Sequence, residues 1–219
     1  MRTTTVVVLL FVGGCGDQPP SNNGGSYFPV SVGNRWVYAE IDKLGVVPDK
    51  TDTKEITGVT NLADGREAFV MLSTPGAVGD VVKRFTWVVE GNRVDRVRAE
   101  DYVHDALHEQ HTYEPGFARF NYGLVAVGDT FTQEVIHTCT SVSSSNPACP
   151  GVDSTSYTWS VESVSDVIDV PAGTFSCLKI RRHRASGQHK TYWYAPGVGK
   201  VYEDGVGNIE ELLEYQIAE

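Results

Sequence analysis

Along most of the chain apolar and polar residues alternate in short runs, and Gly, Pro, Asn and Asp break those runs at close intervals. A period of two marks a strand with one covered face. The clearest stretch is Val170 to Asp204. There Pro171-Ala172-Gly173 suits a type I turn, Phe175 to Arg182 and Lys190 to Tyr194 form strands around Ala185-Ser186-Gly187, and Pro196-Gly197 has the residue order of a type II turn. Trp36 and Tyr38 share one strand face. Leu62 to Arg66 and Glu90-Gly91-Asn92 supply hairpin turns ahead of strands at Glu67 to Leu72 and Arg93 to Arg98, and Ser73 to Asp80 reads as a loop. Ile209 to Ile217 reads as a terminal strand with Glu210, Glu211 and Glu214 on its exposed side.

Three places break the pattern. Val94 and Val97 are an odd step apart and share a face only across a bulge. Strict alternation puts Phe175 and Cys177 on one face and Leu178 and Ile180 on the other. Either both faces of that strand are covered, or a bulge at Cys177 resets its register. Ala99 to Tyr113 carries a helical period, with Val103, Ala106 and Leu107 at i, i+3 and i+4, which predicts one short helix.

The two halves of the chain also resemble each other. Tyr27 to Trp36 aligns without gaps on Tyr122 to Phe131, and Phe85-Thr86-Trp87 ahead of Gly91 parallels Thr191-Tyr192-Trp193 ahead of Gly197. Residues 27–98 and 122–204 therefore read as two similar meanders, through duplication or through the general likeness of strand–turn units. An open sheet must cover its apolar face. The expectation is an all-β fold over residues 27–219, a single antiparallel domain whose halves pack together around Trp36, Tyr38, Phe131, Phe175 and Trp193.

Composition agrees with strands. With 219 residues, 41% hydrophobic, the chain can bury a sizeable core, and its 22 glycines and ten tyrosines favour sheet over helix. A formal charge of -10 and a pI near 5.0 argue against nucleic acid and against electrostatic docking on anionic lipid.

The amino terminus points to export. Arg2 precedes Val6 to Val12, an apolar run far short of the ~20 residues that span a bilayer, so residues 1–14 read as a cleaved signal peptide. Val12-Gly13-Gly14-Cys15 resembles a bacterial lipobox, which implies acylation of Cys15 and a membrane anchor; the alternative is an ordinary secretory signal with an incidental cysteine. Residues 15–26 then form a flexible tether, since Gly16 to Ser26 is polar and rich in Pro, Gly, Asn and Ser. Gly16 directly after the cysteine points to the outer membrane in preference to the inner.

Candidate chemistry is sparse. His104, His108 and His111 would line one stripe of a helix and could present three imidazoles to Zn2+, whereas on a strand His111 would face away from the other two. Cys139 and Cys149 bracket a short polar loop, and a disulfide there would stabilise by roughly 2–3 kcal/mol. Cys177 is left as a buried structural thiol. No G-x-S-x-G, phosphate-cradling loop or dinucleotide fingerprint occurs, so no residues are assigned to catalysis and no cofactor is implied.

Three motifs remain: Tyr27-Phe28-Pro29-Val30-x-Val32-Gly33-Asn34-x-Trp36, Val170-Pro171-Ala172-Gly173-Thr174-Phe175, and Tyr192-Trp193-Tyr194-Ala195-Pro196-Gly197-Val198-Gly199. In these the chain resembles a group of bacterial lipoproteins and periplasmic proteins labelled in places TapB-like. The resemblance implies a curved antiparallel sheet, a half-barrel or open barrel of the lipoprotein-carrier sort, and brings no catalytic residues with it. Two functions follow as expectations. One is a non-catalytic module on the cell envelope that binds another envelope protein or a glycan; the other is a carrier holding an apolar ligand, such as an acyl chain, in the curved sheet. If Cys15 is the anchor, Cys15→Ser releases the protein from the membrane fraction in a fractionation assay. A variant still membrane-bound and acylated contradicts the assignment.

Overall fold

The computed structural model of the protein describes residues 27–47, 49–76, 81–143 and 149–218. The signal segment 1–14 and the tether 15–26, with Cys15, lie outside the described residues. Twelve strands form among those described: β1 Arg35–Asp42, β2 Lys50–Asn61, β3 Glu67–Pro75, β4 Val82–Glu90, β5 Arg93–Val103, β6 Ala106–Asn121, β7 Thr130–Ser141, β8 Gly151–Val170, β9 Gly173–Arg184, β10 His189–Ala195, β11 Gly199–Asp204 and β12 Asn208–Gln216. Each pairs antiparallel with the next, and β12 returns to β1 in a ladder from Arg35↔Gln216 to Asp42↔Asn208. The all-β antiparallel expectation holds, but the barrel is closed where a half-barrel or open barrel was expected. Closure pairs both would-be edges of the sheet, which an open form leaves to solvent.

Local chemistry explains the turns. Val198 N–H donates to the Ala195 carbonyl (3.2 Å) with Gly197 at φ 71°, as a type II turn over Pro196-Gly197 requires. The helix expected at 99–113 does not form. This segment is the β5–β6 hairpin, turned at His104 and Asp105 with φ of 48° and 63°. Val103 faces Ala106 across that turn, so the apparent helical spacing belongs to two strands and a tight reversal. β3 continues through Ser73 to Pro75, into the segment expected as a loop.

Bulges account for the broken alternations. On β5 the register slips at Val97 against both neighbours. On β6 it slips at Arg119, and again between Arg96 and Arg98, where Phe117 and Thr112 are the successive partners. Gly116 lies inside that second irregularity at φ 144°, and a Cβ there would stand 2.9 Å from the Cβ of Asp95. Beside Cys177 the extra residues fall on the partner strand β8, between Val161 and Ser163 and between Ser163 and Asp166. Cys177 and Leu178, adjacent in sequence, are both buried as a result.

One end of the barrel is filled by the chain entering it. Phe28 packs against Trp87, Phe120 and Tyr194 at centroid distances of 5.4, 5.6 and 5.9 Å, and its carbonyl accepts the Tyr122 hydroxyl (2.8 Å). Buried Asn34 ties both ends of the described chain to this floor. Its Nδ2 donates to the Pro29 carbonyl (3.2 Å), and its Oδ1 accepts Ala218 N–H (2.8 Å). The Trp36 indole donates to the Val198 carbonyl (2.7 Å), and a Cβ at Gly199 would meet that nitrogen at 3.4 Å. Two of the sequence motifs thus meet at the floor of the barrel.

Trp36 and Tyr38 lie inside, as expected, but Trp193 does not join them. It sits on the outer wall, donating to Asp166 (2.6 Å) beneath Lys179 and edge-on to Tyr202. Trp36→Ala should therefore cost about 3–5 kcal/mol, the usual range for a buried aromatic. Trp193→Ala should cost less than half of that in urea unfolding; equal losses would contradict this placement.

Candidate binding cavity

In a closed barrel every second side chain of each strand points inward. Near the floor these positions are apolar, including Ile56, Met71, Trp87, Leu178, Ile180 and Leu212. Towards the end that carries the β1–β2 and β3–β4 connections they become charged. Between the two zones lies a cavity of about 530 Å3, bounded by the Phe28 plug and by inward residues of most strands. That volume is within the range of small-molecule sites.

One wall of the cavity is an ion-pair network. Lys200 Nζ donates to Glu203 (2.6 Å) and Glu210 (2.5 Å), Lys54 donates to Glu210 (2.6 Å), and Lys190 donates to Glu203 (2.7 Å). The ring of Tyr38 lies under both Lys54 and Lys200, and its hydroxyl donates to the Lys200 carbonyl (2.8 Å). Asp52 accepts Ser73 Oγ on the adjoining strand. Burial alone would raise the Glu210 carboxyl, but Lys200 and Lys54 outweigh it and hold it at about 2. Glu203 is likewise held well below the carboxylate range: burial raises it, and Lys200 and Lys190 more than reverse that. Glu210 was read from the sequence as an exposed residue; it is buried inside the barrel, while Glu214 is exposed.

A second cluster carries Arg96, Arg119 and Arg182 among aromatic rings, with Arg182 directly across from Lys190 of the first on the adjoining strand. All three guanidinium groups approach the ring of Phe117, at 5.3, 5.8 and 5.0 Å from its centroid. Arg96 also lies 4.5 Å from the Tyr113 ring centre and donates to that hydroxyl (3.0 Å). Arg182 approaches Tyr157 and Tyr192. Burial pulls the Arg96 guanidinium down to about 10, with the neighbouring Arg119 and Arg182 adding to the effect. The three arginines are surrounded by protein yet keep part of their surface open, because that surface faces the cavity.

The histidines expected to form one stripe do not. His104 is an exposed turn residue, and His108 and His111 lie an odd step apart on β6. His111 instead meets His137 of β7: its Nδ1 is 3.0 Å from His137 Nε2, and His137 Nδ1 is 2.8 Å from Asp153. His111 Nε2 also lies 3.4 Å from Glu109. Desolvation lowers the His111 imidazole below its ordinary value. Glu109, His111 and Cys139 come within ligand distance of one another, but Cys139 is joined to Cys149 in a disulfide and has no thiolate to give a metal. The Cα atoms of this cysteine pair are 5.3 Å apart. Cys177 is a free, buried thiol pushed up to about 12 by burial and by Asp166, which keeps it protonated.

No protein-family model matches the chain, and no curated protein sequence does. Two solved structures are similar in shape. One is an exported protein of YmcC-like fold from Bacteroides fragilis, 13% identical with a TM-score of 0.49; the other is a lipoprotein from Parabacteroides distasonis, 15% identical with a TM-score of 0.43. Each likeness covers 87% of this chain and 99% of the other.

The lysine–glutamate wall makes stability depend on acid. Because the folded carboxyls titrate below the ordinary value of ~4.3, their contribution is complete above that value and is lost as pH falls towards 2. Glu210→Gln should cost about 1.5–3 kcal/mol at neutral pH through the lost charged hydrogen bonds. It should also flatten the fall in stability between about pH 5 and pH 2. Urea unfolding across that range checks both; parallel pH profiles for the variant and the natural protein would contradict the assignment.

Proposed function

We propose that the protein is a non-catalytic binding module of the bacterial cell envelope whose ligand occupies the interior of the barrel. The observation that carries this reading is the cavity itself: about 530 Å3, closed at the floor by Phe28 and lined by aromatic rings together with twelve charged side chains. Its volume suits a small molecule, and its charge suits a polar one. An acyl chain held in a wholly apolar cleft is less well supported, because Lys54, Lys200, Glu203 and Glu210 occupy inward positions that an aliphatic chain would have to contact without hydrogen bonding.

The anchor fits this reading. Tyr27 and Phe28 enter at the filled end of the barrel, so a lipid on Cys15 and a tether over 15–26 would attach at that end. The cavity would then extend away from the membrane, towards partners or ligands in the surrounding compartment.

Native mass spectrometry of the full chain, extracted from membranes in mild detergent, tests the reading. The expected result is one small molecule per chain, released when the barrel is unfolded in acid. A bare acylated chain that also takes up no added organic dye would overturn it.

A further inference from the structure

We propose that the ligand is an organic anion whose carboxylate, phosphate or sulfonate group is held by Arg96, Arg119 and Arg182. The proposal rests on the reading of the barrel interior as the binding site, and adds the chemical class of its occupant.

The charge balance is the first support. Eight Lys and Arg side chains line the cavity against four Asp and Glu, in a protein of net charge -10. The interior is thus cationic while the molecule as a whole is acidic, which favours an anion specifically inside.

The distribution of partners is the second. Glu203 and Glu210 are each engaged by two lysines. Among the described residues no ion pair joins Arg96, Arg119 or Arg182 to a carboxylate. Arg96 Nε is buried with no hydrogen-bond partner, although its Nη2 reaches Tyr113. A guanidinium carries five donors, and leaving one buried and unused is costly.

Convergence is the third. Three like charges gathered around Phe117 repel one another, and at Arg96 that repulsion adds to the cost of burial, whereas at Arg119 nearby tyrosines with Glu203 and Glu210 offset it. Two of them owe their positions to irregular strand geometry. Arg119 falls at the β6 register slip opposite Val94 and Asp95, and Arg96 adjoins the Val97 bulge. Bulges that re-aim a side chain are found beside binding sites. An oxyanion seated among the three would supply the missing counter-charge and accept from the guanidinium forks, and an attached ring would lie against Tyr192, Tyr194 and Trp87.

The test uses two dyes with one ring system. Anilinonaphthalenesulfonate carries a sulfonate, and N-phenylnaphthylamine is its neutral counterpart. Fluorescence titration of the full chain should give one site for the sulfonate, with the neutral dye at least about tenfold weaker, the usual scale of a charged hydrogen bond. Arg119→Gln and Arg182→Gln should each weaken the sulfonate about tenfold and leave the neutral dye unchanged. Circular dichroism and melting curves establish that the variants are folded; where one is not, the dye ratio on the natural protein decides. Equal affinity for the two dyes, or folded variants that bind the sulfonate like the natural protein, would overturn the anion assignment and leave the cavity reading standing. Binding of neither dye, together with a bare chain in the mass spectrum, would overturn both.

Discussion

Joining β12 to β1 turns an alternating sheet into a ring, and every other feature of the molecule follows from that ladder. Closure pairs the last exposed backbone groups, and it forces half of the side chains into a space that bulk water reaches only from an end. Twelve strands enclose more room than side chains alone fill. The plug at Phe28, the Asn34 bonds to Pro29 and Ala218, and the Trp36 bond to Val198 occupy the floor, and the cavity is the volume that remains.

What lines that volume is expensive to place there. Lys200 sits between two carboxylates above a tyrosine ring, and the three arginines crowd one phenylalanine. The first group is compensated, because each carboxylate accepts from two ammonium groups; a buried pair with one partner missing is strongly destabilising. The second group has no carboxylate in direct ion-pair contact among the described residues, although Glu203 and Glu210 act on Arg119 from a distance. A barrel selected for stability alone would fill these positions with apolar residues, so the asymmetry between the two groups is the feature most naturally explained by a bound anion.

Much of the fold was legible from alternation and turn chemistry, because Trp36, Tyr38, Phe175 to Arg182 and the Pro196-Gly197 turn each impose a local geometry that the barrel keeps. The site was not legible, for a physical reason. A polar residue alternating with apolar ones reads as facing water, and in the upper half of this barrel the inner face is polar too. Glu210 therefore looked like a companion of Glu214, and nothing in the alternation sets Lys54, Arg96, Arg119 or Arg182 apart from surface charge. Bulges at Val97, Arg119 and Leu213 also shift parity within strands, so counting by twos from a known core residue places later residues on the wrong face. The histidines misled in the opposite way: their spacing suited a helix, but a two-residue turn at His104-Asp105 lies in the middle of the segment.

Side-chain NMR of the arginine Nε–Hε groups addresses the central claim most directly, since it reports on the cavity walls residue by residue. On titration with anilinonaphthalenesulfonate, the resonances of Arg96, Arg119 and Arg182 should move together with the indole signals of Trp36 and Trp87, while Arg35 and Arg66 on the outside stay in place. Movement confined to Arg35, Arg66 or other outer residues, with the three inner arginines unaffected, would contradict a binding site inside the barrel.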